Sequence, residues 1–314
     1  MNIQKKIKLF FSILLVVIFV FFFYREFRAN WNSFSNLKLT IDWGYLSAGL
    51  LMMVLNYLCV TMSWQIGING LKSAEKLSFK QSIALVNISQ LGKYIPGKLW
   101  SYVIQIYWLS SKGFPKTAVL YLNIIATILS VFVSLMLGGL FLLLTGWHYL
   151  RGEIILLVVI VLISNFVLFN RTFLRYIIYT FSRITGKEIS FYPISSYRVI
   201  LMELIYLISA VFWALAGCFI ALGIGFDLDS LKILFISAAM LLGDVIGFLI
   251  LIAPGGLGVR EGTMFLILKG TGIIQFALIM PIAVRLLSIV TDLIMGILSA
   301  LIISRSKYFS RNNI

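Results

Sequence analysis

Along the chain, apolar runs long enough to cross a membrane alternate with short polar stretches. A hydrocarbon core of ~30 Å needs about 20 apolar residues in helical form. Runs at 8–24, 43–67, 117–145, 150–169, 197–222 and 273–303 meet that need and predict six spanning helices. Two regions break the pattern. Residues 79–95 and 98–110 are short apolar pieces either side of Pro96-Gly97, in "LGKYIPGKLW". Residues 231–252 and 263–270 flank Pro254-Gly255-Gly256, in "APGGLGVREG". Proline has no N–H and glycine accepts backbone angles that other residues resist, so each break ends a helix and exposes backbone polar groups. At membrane depth such backbone persists only when buried in protein or facing a wet cavity. The pattern therefore predicts two re-entrant helical hairpins.

The two breaks also align with each other. Placing Pro96-Gly97 over Pro254-Gly255 sets Gly113 beside Gly270 or Gly272, and the long run 117–145 over 273–303. Gly138-Gly139 then falls close to Gly296. Three crossings separate the hairpins, an odd number, so they should enter from opposite faces. That is an inverted-topology repeat, a plan of secondary transporters whose substrate site lies near the midplane where broken helices meet. The expected fold is an all-α integral membrane protein forming one polytopic domain over 1–314. It divides into an N-terminal helical pair (8–67), a first repeat (79–145), connecting spans (150–222) and a second repeat (231–303).

Composition agrees. Of 314 residues, 61% are hydrophobic and 12% charged, and the mean hydropathy is +1.03, against about 25% charged residues in ordinary soluble domains. The formal net charge of +15 is read as cytoplasmic loop charge and contact with anionic headgroups, not nucleic-acid binding. With the N-terminus in the cytoplasm, only Arg25, Arg28, Lys38, Arg151, Lys232 and Lys269 fall outside. Lys93, Lys98, Arg260 and Arg285 sit at membrane level, and the remaining Lys and Arg lie inside. This asymmetry predicts a multi-pass protein of the cell membrane with both termini cytoplasmic. The basic, apolar N-terminus lacks a small-residue cleavage site and is read as a retained first helix. Cys59 and Cys218 lie in apolar runs, and His148 is the single histidine, so no metal site or cofactor is expected. A Walker motif and a nucleophilic triad are both missing.

The candidate chemistry sits at the breaks. Lys93 and Lys98 flank the first, with Tyr94 and Trp100 beside them. A cation at the bilayer centre costs roughly 2.5–3.5 kcal/mol on insertion scales. One reading is a phosphate pocket, with lysines supplying charge and exposed amides supplying direction; the other is a pair of snorkelling lysines in an aromatic belt. In the second break, Gly255, Gly256 and Gly258 allow a close backbone approach, Arg260 suits two-pronged phosphate contact, and Glu261 offers a counter-charge. Asp244 lies in the preceding arm. Arg285 and Asp292, seven residues apart with Ser288 between, share one face of the last helix. Glu203 lies in the fifth span, with Tyr206 and Trp213 nearby. These ionisable groups either serve a substrate or brace the helices.

"LGKYIPGKLW" followed, after three spans, by "APGGLGVREG" and an Arg-bearing final helix resembles the lysylphosphatidylglycerol synthase transmembrane-region family over roughly residues 8–303. This family is the membrane half of the bacterial multiple peptide resistance factor, and is also found as stand-alone proteins and near archaeal glycosylation enzymes. In the full-length factor this half is held to flip a modified phospholipid, while a separate cytosolic domain transfers the amino acid. With the chain ending at Ile314, aminoacyl transfer is not expected. The resemblance implies lipid translocation and carries over to Lys93, Pro96, Gly97 and Lys98, and to Pro254, Gly255, Gly256, Gly258, Arg260 and Glu261.

The expected function is flippase- or scramblase-like translocation of a membrane lipid with an anionic, phosphate-bearing headgroup. Lys93 and Lys98 would receive it from the cytoplasmic side, Arg260 from the outer side, and Arg285 between them. Asp244, Asp292, Glu203 and Glu261 would act as counter-charges or proton carriers. The alternatives are a membrane glycosyl- or headgroup transferase on a lipid-phosphate carrier, and a non-catalytic partner of a lipid-modifying or glycan-synthesis complex. The oligomeric state is left open.

Overall fold

Eight α-helices and no strands make up the described residues of the computed structural model: 40–71, 76–94, 100–146, 194–250 and 256–305, with the single positions Arg25, Arg28, Gly152, Ile155 and Val159. The spans expected at 8–24 and 150–169 lie outside them, as do Pro96, Gly97, Lys98, Pro254 and Gly255. The helices are α1 (Trp43–Ile68), α2 (Phe79–Gln90), α3 (Trp100–Ser110), α4 (Lys116–Leu144), α5 (Ser196–Gly223), α6 (Ser230–Leu249), α7 (Val259–Leu268) and α8 (Ile274–Arg305). Five of them (α1, α4, α5, α6 and α8) are long and apolar enough to cross a membrane. The chain is a multi-pass, all-α membrane protein. At 1.5 Å per residue, α6 alone is about 30 Å long, so the segment expected as one arm of a re-entrant hairpin is instead a helix long and apolar enough to cross a membrane. Its counterpart α2 has only 12 residues.

Local sequence explains most boundaries. Asp42 caps α1 by accepting from the amides of Gly44 and Tyr45 at 2.8 and 3.2 Å. Ser78 and Gln81 form a reciprocal capping box at the start of α2. Asp229 caps α6 through the Lys232 amide at 2.7 Å, and that hydrogen bond holds its carboxyl below the usual range. α3 closes with Gly113 in the left-handed region and the Phe114 amide reaching back to the Leu109 carbonyl at 3.0 Å. This satisfies carbonyls that a helix end leaves open. Between α7 and α8, Gly272 does the same at φ 77°. Gly113 and Gly272 thus each form the corner between a short helix and the long helix that follows.

The bundle has an apolar core of buried side chains and outer faces that are apolar as well. Leu204, Ile208, Val211 and Leu215 form an exposed apolar stripe on α5, and Leu286, Val290, Leu293 and Ile297 one on α8. Polar side chains turn inward, among them Asn87, Gln105, Asn123, Arg260, Glu261 and Asp292. Lipid tails are as apolar as leucine, so inter-helix packing and hydrogen bonds, not hydrophobic expulsion, hold such helices together. Small residues let them approach. A Cβ on Gly138 of α4 would meet Leu242 of α6 at 2.8 Å, and one on Gly217 of α5 would meet Met240 of α6 at 2.5 Å.

The packing is reciprocal. The long helix α4 packs on α6, and the long helix α8 packs on α2. The glycines follow suit. Aligning Pro96 with Pro254 shifts the numbering by 158, which carries Gly138 onto Gly296. Gly138 faces Leu241 and Leu242 of α6, and Gly296 faces Leu91 at the end of α2. α1 and α5 form the most extensive helix pair among the described residues.

Candidate functional site

A cavity of about 310 Å³ lies among the eight helices, each of which contributes to its lining. Its lining includes Tyr57 of α1, Thr127 and Ser130 of α4, Ser209 and Trp213 of α5, and Ser288 and Asp292 of α8. Each of these positions falls in the middle stretch of its helix. If the long helices cross a bilayer, the cavity is at the midplane.

Three ion pairs surround it among the described residues. Lys93, in the 3₁₀ turn Leu91–Tyr94 that follows α2, places Nζ 2.8 Å from Asp292 Oδ1. The Tyr57 hydroxyl donates to the same oxygen at 2.5 Å, and Lys93 Nζ donates to that hydroxyl at 3.2 Å. Asp292 is 4% exposed, so an unpartnered carboxylate there would cost several kcal/mol. Arg260 faces Asp244 at 3.5 Å, stacks over the Trp213 ring at 5.0 Å and reaches Ser288 Oγ at 3.4 Å. Arg285 faces Glu261 at 3.5 Å. The second carboxylate oxygen of Glu261 accepts from the Gly258 amide at 2.8 Å, closing the start of α7.

Arg260 is held by the helix pair α6–α7. "GDVIG" places Gly243 and Gly247 one turn apart on α6, and α7 lies in the groove they leave. A Cβ on Gly247 would meet Arg260 Cβ at 2.8 Å, and one on Gly243 would meet Met264 Cγ at 2.6 Å. Gly256, at φ 71°, sits against the Gly247 backbone. The spacing is the small-xxx-small pattern of close membrane helix pairs, a signal that would have marked this contact in advance.

The structure gathers Lys93, Gly256, Arg260, Arg285, Asp244 and Asp292 at one cavity, with Glu261 behind Arg285. Lys93 and Arg260 line the same chamber. Arg285 and Asp292 are not each other's partners: each turns to a different helix. Glu261 pairs with Arg285, not with its neighbour Arg260, since consecutive helical residues point about 100° apart. Gly258, at φ 85°, serves as the N-cap of α7. Trp100 is 45% exposed, and neither it nor Glu203 lines the cavity. Tyr94 is placed only as the end of the 3₁₀ turn.

Sequence reasoning missed the neutral groups. Asn56 donates to the Ser209 carbonyl and hydroxyl at 2.9 and 2.8 Å. Trp64 Nε1 donates to Asn123 Oδ1 at 2.9 Å, Gln105 Nε2 to Ser89 Oγ at 2.8 Å, and Tyr102 and Thr127 share a 2.7 Å hydrogen bond. Single amides in apolar runs, as in "VLNYL" and "YLNII", were the available signal. The repeat shift also carries Tyr102 onto Arg260, Thr127 onto Arg285, Ser130 onto Ser288 and Ser134 onto Asp292. All eight residues line the cavity.

A multi-pass helical membrane protein with a chamber of mixed apolar and charged lining at the level of its helix midpoints is the class these observations define. The family model for the lysylphosphatidylglycerol synthase TM region matches residues 9–304, and the chain belongs to that family. Membership assigns it a lipid-related function. No curated protein matches it significantly.

Proposed function

We propose that the chain translocates a lipid with a phosphate-bearing headgroup across the cell membrane, the headgroup passing through the central cavity while the tails stay in lipid. The carrying observation is the cavity itself: a chamber with paired charges, midway along helices whose outer faces are apolar. An ionic headgroup crossing hydrocarbon needs its charge met along the route, and this lining meets it.

The ion pairs differ in how readily they yield. Asp244 is 56% exposed at its side chain, whereas Glu261 and Asp292 are 7% and 3%. Swinging Asp244 into water costs little, and releases the Arg260 guanidinium to a phosphate with the planar fork that suits it. Displacing Glu261 or Asp292 would strand a buried carboxylate. Arg260 is therefore the phosphate receptor, and Lys93 and Arg285 stay braced by their acids. The reciprocal packing of α4 on α6 and α8 on α2, with cavity-lining residues at matching positions of both repeats, supports an inverted repeat with two re-entrant hairpins. Rocking of one half against the other would expose the cavity alternately to each side. Both termini would face the cytoplasm.

Proteoliposomes containing the purified chain and acyl-chain-labelled anionic phospholipid test this. The expected result is passage of label between leaflets well above protein-free vesicles, reduced about tenfold or more by Arg260→Ala, as losing a charged hydrogen bond worth about 1.5–3 kcal/mol implies. Wild-type vesicles no faster than empty ones would refute translocation.

A further inference from the structure

The cations at the cavity are not held alike. Lys93 is fixed by its acid: Nζ lies 2.8 Å from Asp292, a carboxylate whose side chain is 3% exposed. The in-plane contacts of Arg260 are longer. Asp244 stands 3.5 Å away with its side chain 56% exposed, and the hydrogen bond to Ser288 Oγ spans 3.4 Å. Charge-assisted hydrogen bonds are strong at about 2.7–2.9 Å, so neither contact pins the guanidinium. Arg260 is nevertheless buried.

What pins it is its flat face. Arg260 Cζ lies 5.0 Å from the centre of the Trp213 ring, within reach of a cation–π contact. The ring is in turn immobilised from α6. Gly217 lies one turn beyond Trp213 on the buried face of α5, and a Cβ there would meet Met240 Cγ at 2.5 Å. That close approach lets Trp213 Nε1 donate to the Met240 carbonyl at 3.0 Å. An indole N–H has no other polar role, and the residue is buried, so the plane of the ring is set.

Stacking and anion binding use different parts of a guanidinium. The ring takes the face, whereas a phosphate or carboxylate takes the N–H edge. Trp213 therefore holds Arg260 without competing for the donors that an anion would use. The distinction matters when Asp244 leaves. A guanidinium held by a half-exposed carboxylate alone would follow it toward water; one stacked on a fixed ring stays in the chamber. Trp213, Arg260, Asp244 and Ser288 all line that chamber.

We propose that Trp213 is a positioning residue: its ring keeps the Arg260 guanidinium inside the chamber, donor edge open, while Asp244 swings away and an anionic group takes its place. The proposal rests on the reading of Arg260 as the phosphate receptor and adds the group that lets it exchange partners without moving.

The test places tryptophan analogues with increasing numbers of ring fluorines at position 213 of the full-length chain. Fluorine withdraws electron density from the ring face and leaves its shape and its indole N–H nearly unchanged. Packing and the Met240 hydrogen bond persist, while the attraction for a cation falls. The purified protein is treated with phenylglyoxal, which reacts with the guanidinium edge, and mass spectrometry reads the rates at Arg260 and Arg285 in one sample. A cation–π contact at a partly desolvated site amounts to a bias of about tenfold. The Arg260 rate should climb toward that factor across the series as the guanidinium escapes to the open side. Arg285, paired with Glu261, should keep its rate. A flat Arg260 rate, or an equal rise at both arginines, would overturn the proposal. Inorganic phosphate separates this inference from the reading beneath it. Phosphate that shields Arg260 in wild type, and shields it less as fluorines are added, supports both. A fluorine-dependent rate with no shielding by phosphate would leave Trp213 as the positioning group and sink the phosphate receptor.

Discussion

Two segments of the chain, 79–144 and 230–305, here called the first and second repeat for their matching order of helices, carry different chemistry. In both, a first arm, a break, a short second arm and a glycine corner lead into a long helix that packs on the other repeat's first arm. At matching cavity positions the first repeat carries Tyr102, Thr127, Ser130 and Ser134, and the second carries Arg260, Arg285, Ser288 and Asp292. One wall is neutral and the other charged. Backbone packing tolerates either set because small polar groups on a helix face keep the same spacing. The cavity lining differs between the two segments where the order of helices does not.

The sharpest way to break this comparison is at position 261. Glu261→Ala removes the partner of Arg285 and the acceptor for the Gly258 amide together. Stripping one member of a buried pair costs about 3–5 kcal/mol, and unfolding in detergent should show it. The matching position in the first repeat is Val103, 49% exposed on the outer face, and Val103→Ala should stay within about 0.5 kcal/mol. Similar losses at the two sites would dissolve the asymmetry.

The equivalent glycines give a smaller contrast. A Cβ on Gly138 would come within 2.8 Å of Leu242 Cγ, while the nearest atom to one on Gly296 is Leu91 Cδ1 at 3.3 Å. Gly138→Ala should cost about 1–3 kcal/mol, as overpacking does, and Gly296→Ala less, by the same unfolding measurement. Equal costs would mean that the two reciprocal contacts are alike in tightness.

The least effect belongs to the neutral wall. Thr127→Ala deletes the partner of the Tyr102 hydroxyl, a neutral hydrogen bond worth about 0.5–1.5 kcal/mol. Thermal unfolding should barely move. A loss as large as that from Glu261→Ala would show that the first repeat is braced as heavily as the second.

Much of the fold was legible in the sequence. Hydropathy marked as spans four of the five described helices of spanning length; the fifth, Ser230–Leu249, was expected as a re-entrant arm because Pro and Gly follow it. The charges of the site stood out because ionisable residues inside apolar runs are rare and costly. Their pairing did not stand out. Lys93 and Asp292 are 199 residues apart, and nothing local joins them. Adjacent Arg260 and Glu261 invited pairing, yet the helix sends them to different partners. The amides of Gln105 and Asn123 were overlooked because a lone neutral residue barely changes a hydropathy window.

What the chain determined by itself is its solvent and its punctuation. Runs of Leu, Ile, Val and Phe fix residence in lipid, and helix breakers fix where backbone must find shelter, because both follow from the transfer energy of groups near in sequence. Tertiary structure decided which acid meets which base, which wall is neutral, and that all of these face one chamber. Those outcomes depend on helix rotation and on contacts between distant segments, where a turn of 100° separates a buried ion pair from a side chain in lipid.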